Sequence, residues 1–107
     1  VKLKPNRDTL FVRSYNGSYN GDDFLNALTL DINDNVYLTG RFSTSNTEAN
    51  ATTFKINKQG QTVWQSSHAV AMGINEGLFI TTNTTGNVYV AGNFTDGASH
   101  DAFVFKY

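Results

Sequence analysis

Apolar and polar residues alternate in short runs along the chain, and clusters of Asn, Asp, Gly and Ser separate the runs. Alternation with a period of two marks half-buried strands, and no stretch holds apolar residues at i, i+3, i+4 and i+7 for three turns. The first half therefore predicts strands near Thr9–Tyr15, Leu25–Asp31, Val36–Phe42 and Thr52–Ile56. The second half predicts them near Thr62–Ala69, Leu78–Thr82, Val88–Phe94 and Ala102–Tyr107. Asn16-Gly-Ser, Asn33-Asp-Asn, Lys58-Gln-Gly and Thr85-Gly-Asn lie between them and suit tight turns. In Val36-Tyr-Leu-Thr-Gly40 one face carries Val36, Leu38 and Gly40 and the other Tyr37 and Thr39. Neither face is strongly charged, and Val88–Gly92 reads the same way. Such a sheet is built to be covered on both sides.

The chain also repeats itself. Asn35-Val-Tyr-Leu-Thr-Gly40 returns as Asn87-Val-Tyr-Val-Ala-Gly92, 52 residues later. Phe54-Lys-Ile56 followed by Thr62-Val-Trp64 matches Val1-Lys-Leu3 followed by Thr9-Leu-Phe11, and Phe105-Lys-Tyr107 starts the pattern once more. The natural division is residues 1–53 and 54–107. Four strands per unit and a period between about 40 and 55 residues point to blades of a β-propeller.

Gly86-Asn-Val-Tyr-Val-Ala-Gly92, Asp101-Ala-Phe-Val-Phe-Lys-Tyr107 and Gly60-Gln-Thr-Val-Trp64 resemble the bacterial β-propeller repeat known as the SBBP repeat. The first copy departs from that pattern: Asp34 stands for the turn Gly, Ala51-Thr-Thr for Asp-Ala-Phe, and Phe11 for Trp64. The resemblance implies an exported or cell-surface bacterial protein of modular build, and no single activity. The expected fold is all-β, with two four-stranded antiparallel propeller blades. Closed propellers carry about 4–8 blades, so two supply part of a ring. Thr9–Tyr15 reads as the fourth strand of a blade whose first three strands are missing. Either the chain is a segment of a larger propeller, or copies assemble and exchange that strand. The expected partners are accordingly other blades, in the same chain or in a homo-oligomer.

Composition narrows the function. Lys and Arg number 8 against 9 Asp and Glu, which argues against a nucleic-acid footprint. No apolar run approaches the roughly 18 residues of a membrane span. The absence of cysteine excludes disulfides, thiolate metal sites and a cysteine nucleophile. Asn and Thr, 13 of each, favour turns and pleated surfaces, and 13% aromatic residues exclude an entropic linker.

Candidate chemistry is sparse. Asp31-Ile-Asn-Asp-Asn35 starts like a calcium loop, but Val36 replaces the sixth-position Gly and no Glu closes it, so an Asx-rich hairpin turn is expected. Ser99-His100-Asp101 sets a triad's residue types in a row, where neighbours cannot reach triad geometry. Trp64, Tyr15, Tyr19 and Tyr37 are the residues for an aromatic platform, though Trp64 occupies the apolar strand position of Phe11. Asn16, Asn50, Asn83 and Asn93 fit the glycan acceptor pattern, which chance supplies in so Asn- and Thr-rich a chain. The expected binding set is Tyr15, Tyr19, Asn20, Asp22 and Asp23, in a Gly/Asn-rich connection. No catalytic group, cofactor or metal is expected. The chain reads as a non-catalytic structural or binding module with a protein or glycan ligand. A self-assembling lectin-like propeller and a scaffold for catalytic residues outside this chain are the alternatives.

Overall fold

The computed structural model describes residues 14–15, 21–69, 72–95 and 99–107, and the backbone of 2–3 and 9–11. The chain is all-β, with no helix among the described residues, hence none long and apolar enough to cross a membrane. Among the described residues nine strands follow in order: β1 (Lys2–Leu3), β2 (Thr9–Phe11), β3 (Asp23–Leu30), β4 (Val36–Ser43), β5 (Ala49–Ile56), β6 (Thr62–His68), β7 (Ile74–Thr82), β8 (Val88–Thr95) and β9 (His100–Lys106). Each of the eight expected strands thus has a counterpart in β2–β9; of Thr9–Tyr15 only Thr9–Phe11 is strand among the described residues, and β1 was not expected. Four begin earlier than expected, β3 at Asp23, β5 at Ala49, β7 at Ile74 and β9 at His100, with β5 and β7 extended furthest, where the repeats meet.

The strands make one open seven-stranded sheet and a separate two-stranded one, instead of two four-stranded sheets. β3, β4, β5 and β6 form one antiparallel meander, taken as the first structural repeat although it runs past the 53/54 division; β7, β8 and β9 form the second. A single parallel pair, Ala49 with Ile74, merges them. It forms because β6 leaves β5 at Ala51, so the Ala49 amide is free to donate to Gly73 O at 3.0 Å. Buried Asn75 donates from Nδ2 to Ala49 O at 3.1 Å and reinforces the junction.

β3–β5 and β7–β9 are close copies. Each first strand carries a bulge at the same place, between Leu25 and Ala27 in β3 and between Gly77 and Phe79 in β7. Gly40 and Gly92 face those bulges on the neighbouring strands, where a backbone carbonyl occupies the space of a Cβ. Strand pairing assigns the faces. In the first repeat Tyr37, Lys55 and Trp64 share one row, and Thr39, Thr53 and Ser66 the next. This face looks at the second repeat, where Val88 and Val90 are buried with Tyr37, and Trp64, Ile80, Phe105 and Tyr107 pack around them. The Gly77 backbone comes so near Thr39 that a side chain at 77 would overlap Thr39 Oγ1. The opposite face of the first repeat buries Phe42, Phe54 and Ile56.

Candidate functional site

The ends of the meanders differ in character. At one end, three five-residue turns among the described residues repeat a single design: 31–35, 57–61 and 83–87. In each, the first side chain accepts from two backbone amides through Oδ1. Asp31 takes Asn33 N at 2.8 Å and Asn35 N at 3.0 Å. Asn57 takes Gln59 N and Gln61 N, and Asn83 takes Thr85 N and Asn87 N. The fourth position has positive φ each time: Asp34 at 65°, Gly60 at 86° and Gly86 at 89°. Asp and Gly are the residues that visit this region, which explains the Asp34 departure in the first copy.

Asp31 does more than its counterparts, because Oδ2 also accepts from Asn35 Nδ2 at 2.9 Å and from Tyr37 Oη at 3.0 Å. Burial works against its charge, yet the bonds from Asn35, Asn33 and Tyr37 outweigh it and hold the carboxyl at about 2, below its usual 3.8. Burial first, then the Asp31 bond and charge, push Tyr37 up to about 12. The acidic turn is thus a hairpin clamp with its oxygens committed to four donors. Because the folded pKa lies below the unfolded one, Asp31 stabilises fully above about pH 5 and loses that contribution as pH falls toward 2. Asp31→Asn, which copies Asn57 and Asn83, is expected to flatten the fall in urea midpoint between about pH 5 and 2. An equally steep fall in the variant would show that other carboxylates carry it.

The other end holds the loops and the candidate site. A polar cleft of about 290 Å³ is lined by Gly21, Asp22, Arg41, Ser43, Glu48 and their neighbours, and borders the Ala49–Ile74 junction. The Ser43 amide donates to Asp23 Oδ1 at 3.0 Å, and Ser43 Oγ donates to the Asp22 carbonyl. These bonds dock the start of β3 onto the end of β4. The Thr44 and Ser45 amides donate to Glu48 O at 2.9 and 3.3 Å and shape the 44–48 loop. The Arg41 guanidinium lies over the Phe24 ring, 4.7 Å from its centroid, which orients the cation beside the cleft. Two acids, one cation and hydroxyls around a shallow cleft can bind a polar ligand.

Of the expected binding set, Asp22 lines this cleft and Asp23 supports its wall. Tyr15 belongs elsewhere. Its ring stacks on Phe54 at 4.2 Å and its hydroxyl bonds Thr62 Oγ1 at 2.6 Å, at the turn end, so it is a packing residue and not a free loop aromatic. Tyr19 and Asn20 lie outside the described residues. No aromatic platform unites Trp64, Tyr37 and Tyr15: the first two stack between the repeats, 6.2 Å apart, and Tyr15 covers the opposite face. His68 stacks on Phe105 at 4.5 Å and bonds Ser66, while His100 bonds Thr95. Arg41 and Glu48 were not singled out by sequence. Arg41 had one legible signal, as the lone charge in the run Val36–Ser43. A scan against protein-family models and a search of curated proteins return no match to this chain.

Proposed function

We propose that the chain is a non-catalytic structural and binding module: propeller-type repeats stacked face to face, whose loop-end cleft contacts a protein or glycan. The observation that carries the reading is a stack made twice. His68 on Phe105 joins the first repeat to the second, and Tyr15 on Phe54, at the equivalent positions, joins the N-terminal segment to the first. The β1–β2 hairpin agrees. Lys2 pairs Phe11 and Leu3 pairs Thr9 with a register shift between, as Lys55 pairs Trp64 and Ile56 pairs Thr62. Successive units related by one operation make a rigid frame, and loops on such a frame are where binding resides. The acidic turn 31–35 and the histidines serve that frame. An exported or cell-surface bacterial setting rests on the likeness of Gly86–Gly92 and Asp101–Tyr107 to the SBBP pattern.

The test probes glycan and peptide arrays with the labelled chain and with Arg41→Ala. Binding is expected, and loss of one charged contact should weaken it about tenfold. Binding that the variant leaves intact would remove the cleft as the contact surface.

A further inference from the structure

The repeats stack head to tail, and the second repeat carries again the face that the first uses to hold it. Lys55 lies over the Tyr37 ring, 5.5 Å from the centroid, and Lys106 lies over Tyr89 at 5.9 Å. Tyr37 is buried under the second repeat. Its counterpart Tyr89 sits in a face where Phe79, Ala91 and Val104 form one row, and Phe79 and Val104 are each 71% exposed. Exposed aromatic and β-branched side chains around an apolar hollow are unusual on a monomer surface.

The complementary face is also present. Ile80 of β7 packs into the core between the repeats, and its equivalent in β3 is Leu28, 64% exposed. Leu30, 54% exposed, lies beside it. The first repeat thus bares, along β3, the positions by which the second repeat docks. Tyr15 covers the Phe54 side of this face and leaves the β3 side open.

Resting on the stacked-repeat reading, we propose that a second copy of this chain docks the Leu28/Leu30 side of its first repeat on the Phe79/Val104 face of the second repeat. The association is heterologous, and the wedge of a propeller blade at each step closes it into a ring instead of a filament. Strand pairing supports the same occupant. Phe105-Lys106-Tyr107 carries the pattern of Phe54-Lys55-Ile56 and Val1-Lys2-Leu3, so β9 can take the place of β1 beside Thr9–Phe11 of the docked copy, in the register that β5 and β6 show. At about 4–8 blades per closed propeller and two repeats per chain, the ring holds about two to four copies.

Light scattering on the 107-residue chain is expected to give one species of about two to four monomer masses. Phe79→Asp and Leu28→Asp each spoil one side of the contact and should each run as a monomer with an unchanged circular dichroism spectrum. Mixed together, they keep one intact pair of faces and should form a heterodimer and nothing larger. A wild-type monomer would overturn the proposal, as would a mixture that stays monomeric. Nuclear Overhauser contacts between the Trp64 and Tyr107 rings, whose centroids lie 5.3 Å apart, separate the two readings. If they persist in a wild-type monomer, the stacked-repeat reading stands and only self-association falls. If they are missing, both fall.

Discussion

Replacing Gly40 or Gly92 with alanine is expected to destabilise the chain by about 2–3 kcal/mol, more than a single methyl group normally would. A Cβ on Gly40 would lie 1.8 Å from Phe24 O and 2.8 Å from Leu25 Cα; on Gly92 it would lie 2.0 Å from Glu76 O and 2.7 Å from Phe103 Cζ. The obstacles are mostly backbone, and that backbone belongs to the bulges of β3 and β7, which cannot retreat without breaking their pairing to β4 and β8. For a domain of this size the loss corresponds to a melting temperature lower by roughly 10–20 °C. Gly86→Ala is the control. Nothing lies within 4 Å of its Cβ, so only the strain of its φ of +89° acts, worth about 1 kcal/mol. Equal losses at Gly86 and Gly40 would mean that the bulge yields.

Phe54→Ala is expected to cost about 3–5 kcal/mol. Phe54 is wholly buried, with the Phe42 ring at 5.3 Å and the Tyr15 ring at 4.2 Å. Truncation leaves a cavity under Tyr15, and two aromatic contacts go with the buried area. Trp64, the one tryptophan, lies on the opposite face of the sheet and reports on the inter-repeat core separately. The expected result is a much lower urea midpoint with the folded-state tryptophan emission unchanged. A red-shifted emission before unfolding would show that the Phe54 face and the inter-repeat core are one packing unit.

Both effects lie on contacts that local patterning does not display. The alternation in Val36–Phe42 and Val88–Phe94 places strands correctly, because side-chain direction has period two whatever the neighbours are. Three of the four expected turns were equally legible, since Asn-x-x-Gly or Asp-x-x-Asp supplies a side-chain oxygen acceptor and a left-handed residue within five positions; Asn16-Gly-Ser lies outside the described residues. Gly40 and Gly92, by contrast, look like ordinary repeat glycines until the bulges opposite them are seen. Tyr15 looked free because it stands in a Gly/Asn-rich connection, and only a strand 39 residues away in sequence holds it. The candidate cleft was half legible: Asp22 and Asp23 stood out as an acidic pair, whereas Arg41 and Glu48 join them through the β3–β4 pairing and the 44–48 loop.

The sequence by itself determined the all-β class, the repeat, the approximate positions of β2–β9 and the chemistry of the three described turns. These depend on residues close along the chain, where steric preference and hydrogen-bonding reach decide. Tertiary structure alone decided that Ala49 and Ile74 merge seven strands into one sheet, that Gly77 and Thr39 bring the repeats into contact, and that Phe79 and Leu28 stay exposed while Val90 and Phe54 are buried. Equivalent positions carry equally apolar residues, so composition cannot say which face is covered. Burial there depends on which unit stands next in the stack, a long-range relation that no local pattern encodes.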